Sequence, residues 1–151
     1  MERLADPAER GAYPTALTGD SPFRVDPSTL IRSTVDDLRS GVPAPAIAAR
    51  FHRGLAATVL AGAERIRAAT GLGTVALSGG VFQNLLLLDL AVAALTERGF
   101  RVLTHHRVPP NDGGISLGQA AIAAALDRAG TPLTDGMSLC LRGRGSEPGG
   151  G

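Results

Sequence analysis

Ser78, Gly79 and Gly80 stand between a β-branched apolar run, Thr74–Leu77, and an asparagine, Asn84, that opens a very apolar segment. Strand, glycine turn and helix start in that order can bring backbone amides close to a ligand. Gly79 and Gly80 carry no side chain to hold a phosphate or ribose away, and a helix N-terminus adds unpaired amides and a partial positive charge. Asn84 has the chemistry to meet a sugar hydroxyl or a phosphate oxygen, or to cap the helix. A second turn, Pro109–Gln119 (PPNDGGISLGQ), repeats the arrangement with Asp112 in the bend. A carboxylate in a glycine bend suits a hard or borderline metal beside nucleotide phosphates. The two turns together suggest a nucleotide site with room for a metal.

Taken singly, each motif has a plainer account that pattern alone favours. Ser78-Gly79-Gly80 would serve as a tight strand-to-helix connection, and Asp112 suits the N-cap of the helix that follows it. The dinucleotide fingerprint lacks its third glycine, and no Gly-Lys-Ser/Thr marks a P-loop. His105 and His106 end a strand, so alternation sends their rings to opposite faces and they would not share one metal. His52 lies beside an apolar stripe and suits a structural role. Cys140 has no helix start or histidine near it in sequence, and Arg142 and Arg144 fit a solvated tail. No nucleophile elbow is present and no general base is apparent, so no catalytic residue is assigned.

The elements that must position these residues follow from periodicity. Residues 1–27 hold Pro7, Gly11, Pro14, Gly19, Pro22 and Pro27 and are expected to form an extended arm. Asp26-Pro27-Ser28 starts a helix over Ser28–Arg39 with Leu30, Ile31, Val35 and Leu38 expected inside. The longest helix, about Ala46–Ala69, carries Ile47, Phe51, Leu55, Val59, Ala63 and Ile66 as one stripe, with Arg50 off it. Strands are expected at Thr74–Leu77 and Phe100–Thr104, and helices at Asn84–Arg98 and Gly113–Arg128. The first of those helices is apolar on nearly every side and calls for cover. Residues 130–151 are expected to fray. The order predicts an α/β layer with a small parallel-strand sheet packed by helices, part of a larger domain or a subunit that needs a partner.

Composition bounds the rest. The chain has 151 residues, 44% apolar and 19% charged, with a net charge of +1. That is enough for one domain with a core, and it gives no electrostatic case for nucleic acid or an anionic membrane. One cysteine excludes an internal disulfide. The longest apolar run, Leu85–Leu95, is broken by Asp89 and is too short to span a bilayer. The N-terminus lacks an apolar signal core, so a cytoplasmic protein is expected.

LSGGVFQN with its following LLL, then PPNDGGISLGQA, closely resembles the C-terminal end of the HypF family of hydrogenase maturation carbamoyltransferases. GAYP, the Asp-Pro before the first helix, and IAARFHRGLA look like the same family, and the similarity covers about residues 10–126. The resemblance implies half of a Kae1-like module of the actin-like ATPase (ASKHA) fold over residues 28–129. It implies that carbamoyl phosphate and ATP yield a carbamoyl-adenylate, whose carbamoyl group passes to a cysteine of the partner HypE and becomes cyanide on a nickel–iron site. Ser78, Gly79, Gly80 and Asn84 then match the nucleotide-binding turn. Asp112 matches a ligand of a divalent metal (iron, zinc or magnesium), which reverses its plainer account. Gly113 and Gly114 match the neighbouring turn.

Two departures qualify the match. Leu85 stands where relatives often carry a basic residue. The family's paired metal histidines belong to the preceding, N-terminal half of the module, and His105-His106 does not match them. The chain alone is therefore expected to be inactive. The alternatives are a noncatalytic nucleotide-binding remnant, or another actin-like enzyme such as an O-carbamoyltransferase or a sugar kinase.

Overall fold

A computed structural model describes residues 2–20 and 22–129. Cys140, Arg142, Arg144 and the tail expected over residues 130–151 lie outside the described residues. The chain divides into two compact units, Met1–Asn111 and Asp112–Gly151.

The first unit is built on α2, Ala44–Thr70, which Pro43 and Pro45 admit at its first turn and Gly71 ends. Before it lies α1, Ser28–Arg39, at its expected bounds. Asp26 Oδ1 accepts from the Ser28 amide at 2.9 Å, so Asp26-Pro27-Ser28 does mark the helix entry. After α2 come β3, Thr74–Ala76, then α3, Leu85–Glu97, then β4, Arg101–Leu103. β3 and β4 pair in parallel with Ala76 opposite Leu103, and α3 is the crossover between them. The expected α/β layer with a small parallel sheet is thus present.

The main core lies between α2, α3 and this sheet. Leu87, Ala91 and Leu95 recur every four residues on α3 and meet Ala56, Leu77 and Phe100. Each fully buried leucine contributes roughly 1.5–3 kcal/mol. A second cluster joins Tyr13, Leu30 and Ile47, and Leu55 packs against both clusters.

Three expectations change. Among the described residues of the expected arm, β1, Ala16–Thr18, pairs antiparallel with β2, Arg24–Asp26, and Tyr13 is buried. Gly54 makes this possible, since a Cβ there would collide with the Tyr13 carbonyl. The Tyr13 hydroxyl donates to Asp37 at 2.6 Å, and Arg50 donates to Asp37 at 2.8 Å and to Glu9 at 2.9 Å. Arg50 therefore clamps the N-terminal segment and α1 onto α2. On α1 only Leu30 is buried, while Ile31, Val35 and Leu38 are exposed. α3 is covered on one face, leaving Leu85 exposed.

In the second unit a 3-10 turn, Asp112–Gly114, leads into α4, Ile115–Arg128. α4 has no buried residue, and Ile115, Leu117 and Ile122 are exposed. Among the described residues no helix is long and apolar enough to cross a membrane.

Candidate functional site

The turn after β3 is held from four sides. Its conformation is set first by Gly79, whose φ of 103° and ψ of 157° lie in a region essentially reserved for glycine. Nothing stands within 4 Å of the position a Cβ would take there, so the demand is conformational rather than steric. The Gly79 amide donates to the Pro110 carbonyl at 2.7 Å, which ties this turn to the loop after β4. The chain then makes a 3-10 turn over Gly80–Gln83, closed by Phe82 N donating to the Gly79 carbonyl at 3.1 Å.

Asn84 closes the turn and starts α3. Its Oδ1 accepts from the Leu87 amide at 2.9 Å, making it the N-cap. Its Nδ2 lies 2.8 Å from His52 Nε2. His52 is 3% exposed, and its Nδ1 lies 2.7 Å from the Ala48 carbonyl. A carbonyl only accepts, so Nδ1 carries the proton. Nε2 is then free to accept from the Asn84 amide, whose orientation the Leu87 bond has already fixed. His52 is a satisfied core histidine, as its place beside the apolar stripe implies, and it also anchors the turn from beneath.

The N-terminus of α3 differs from expectation. Its first amides are partnered: Glu2 Oε1 accepts from Leu85 N at 2.9 Å and from Leu86 N at 3.4 Å, and Asn84 takes Leu87 N. A carboxylate of the chain itself meets the positive end of the helix. The polar group at the start of the turn is Ser78, which is exposed, with His105 Nε2 at 2.9 Å from its Oγ. His106 Nε2 lies instead 3.1 Å from Thr104 Oγ1, so the two histidines, both beyond the end of β4, have different partners. Beside the turn is a cavity of about 270 Å³, lined by Leu77, Phe82, Leu85, Thr104, His105 and Pro110 among others.

Ser78, Gly79, Gly80 and Asn84 thus share one turn, which His105 and Pro110 meet from the loop after β4. Asp112, Gly113 and Gly114 belong to the second unit. Asp112 is exposed and is not the N-cap of α4: that position falls to Gly114, with no side-chain bond to the helix.

Comparison with known proteins decides the lineage. The family described as "Carbamoyltransferase, Kae1-like Domain, second subdomain" matches residues 1–119. The chain belongs to this HypF family. It is 39% identical over 101 residues to Carbamoyltransferase HypF of Rhodobacter capsulatus, covering 67% of this chain and 13% of that one. It is 36% identical over 108 residues to Carbamoyltransferase HypF of Synechocystis sp., covering 71% and 13%. The crystal structure of full-length HypF in the phosphate- and nucleotide-bound form aligns with a TM-score of 0.77 at 37% identity, over 83% of this chain and 16% of that one. T. kodakarensis HypF shares the fold at a TM-score of 0.70 and 22% identity. The chain spans less than a fifth of the length of these HypF relatives.

The HypF match agrees with the expected fold, part of a Kae1-like, actin-like module. A metal is a separate matter. Among the described residues no three His, Cys, Asp or Glu gather to hold an ion. The described residues alone do not make up a complete metal site.

Proposed function

We propose that this chain supplies the nucleotide-binding half of a Kae1-like carbamoyltransferase module. The observation that carries the proposal is the turn Ser78–Asn84. Gly79 holds a glycine-only conformation, nothing stands above its Cα, and Asn84, Pro110 and His52 fix the loop around it. A HypF at 37% identity is named as phosphate- and nucleotide-bound, which supports placing ATP at the corresponding turn here. Ser78 offers a hydroxyl, and Gly79 and Gly80 let a phosphate approach the backbone. Asn84 acts on the nucleotide chiefly by shaping the turn, because its Oδ1 caps α3 and one Nδ2 hydrogen goes to His52. Asp112 contributes one carboxylate to a divalent metal, with Gly113 and Gly114 forming its bend.

The whole enzyme would use carbamoyl phosphate, water and ATP to form carbamoyl-adenylate, with phosphate and pyrophosphate as the leaving groups. The carbamoyl group then moves to a HypE-type cysteine, as the sulfur replaces the adenylate. Carbamoyl activation requires the N-terminal half of the module, with its further metal ligands. Backbone amides and the metal would stabilise phosphate charge. An apolar groove of about 510 Å³, bounded by Val25, Val59, Ile66, Val75 and Val81, supports incorporation in a larger domain. Mixing the chain with that half restores ATP-dependent turnover of carbamoyl phosphate. A mixture without turnover, under conditions where an intact relative is active, overturns the complementation.

A second reading is a noncatalytic nucleotide-binding remnant, favoured by the absence of a gathered metal set among the described residues. It predicts nucleotide binding without product in the same mixture.

A further inference from the structure

The sequence treats His105 as a polar strand end, but the sheet gives it a partner. β3 and β4 run in register, with Thr74, Val75 and Ala76 opposite Arg101, Val102 and Leu103. The ladder continues as Leu77 N donates to the Leu103 carbonyl at 2.9 Å. The next same-face pair beyond Ala76 and Leu103 is Ser78 and His105. Their side chains meet at 2.9 Å between Oγ and Nε2. Parallel pairing therefore brings an imidazole to the first residue of the glycine turn, at the edge where ligands of α/β sheets bind. Both residues are exposed, so no core packing demands the contact.

We propose that His105 is a positioning residue for the phosphate groups of the bound nucleotide, acting through Ser78. This rests on the nucleotide reading of the turn. A serine hydroxyl has one proton and two lone pairs. When His105 Nε2 carries hydrogen and donates to Oγ, the Ser78 proton is free to point at a phosphate oxygen. Without His105 that hydroxyl rotates, and binding must order it. The same arrangement explains why His106 is not equivalent: its ring goes to Thr104. The ligand class is a nucleoside diphosphate or triphosphate, and the dependence is on its phosphates rather than its base.

The test is calorimetric titration of the full chain with ADP, and separately with adenosine. His105→Ala weakens ADP binding by about tenfold, the scale of one lost hydrogen bond to a charged group. Ser78→Ala weakens it at least as much, and the double variant is no weaker than Ser78→Ala, since His105 acts through that hydroxyl. His105→Gln, whose side-chain N–H can donate to the same oxygen, restores most of the affinity. His106→Ala changes nothing, and adenosine affinity is the same in every variant. Wild-type ADP binding that persists unchanged in His105→Ala overturns the assignment alone. Losses that add in the double variant overturn it as well. No ADP binding by the wild-type chain overturns the nucleotide reading, and this assignment with it.

Discussion

The turn at residues 78–80 and the turn at residues 112–114 share a pair of glycines and a following helix, yet they are built in opposite ways. The first depends on one glycine in a conformation closed to other residues and on anchors from elsewhere in its own unit: Pro110 on Gly79, His52 on Asn84, Glu2 on the start of α3. In the second, neither Gly113 nor Gly114 has positive φ, and α4 beyond it has no buried residue. Composition does not distinguish a turn braced by its own unit from one whose following helix buries no residue. The first turn comes largely formed within this chain. Among the described residues, the second offers Asp112 without the further ligands a metal needs.

Breaking the support beneath the first turn should have the largest effect. α2, which carries His52, is tied to the N-terminal segment through Tyr13, Asp37, Arg50 and Glu9. Burial, followed by the bond to the Asp37 carboxylate, pushes the Tyr13 hydroxyl from 10.0 to about 12. A folded value raised this way contributes stability that is full below about pH 10 and lost as pH rises through about 12, on the order of 3 kcal/mol. Denaturant titrations across that range should show the loss, and Tyr13→Phe should abolish the tyrosine-linked part. At the acid end the signs reverse. The Tyr13 and Arg50 bonds lower Asp37, and the Gly11 amide with Arg50 lowers Glu9. Their contribution is present above the ordinary carboxylate values of 3.8 and 4.5 and is lost as pH falls through the lowered folded values.

His52→Leu comes next. It keeps the bulk and strands the Asn84 amide hydrogen, at a cost of about 2 kcal/mol in urea unfolding. Gly79→Ala should cost about 1–2 kcal/mol through backbone strain, and Asn84→Ala about 1 kcal/mol through the lost cap. Gly114→Ala, at φ −86°, should stay within about 0.5 kcal/mol. Equal costs for Gly79→Ala and Gly114→Ala would erase the contrast between the turns.

Much of this contrast lay outside the reach of sequence. The start of α1 was legible because Asp26 and Pro27 act within a few residues of the helix they open. The β1–β2 hairpin was not, because Pro and Gly in the first 27 residues match a loop equally well. The burial of Tyr13 also depends on a gap at Gly54, far along the chain. The positions of Ser78, Gly79, Gly80 and Asn84 at one turn followed from the order strand, glycine, helix. The partners of that turn did not, since His52, His105 and Glu2 reach it only through tertiary packing. A strand offset that pairs Ser78 with His105 was the one available signal. The expected burial of Ile31, Val35 and Leu38 failed because a 3.6-residue stripe shows which face is apolar, not whether anything covers it.

Amide hydrogen exchange of the whole chain, with and without ADP, tests the central claim most directly. Added ADP should slow exchange at the backbone of Ser78–Asn84 and leave α1 unchanged. Exchange in that turn that ADP leaves untouched, at concentrations that saturate an intact relative, would contradict it.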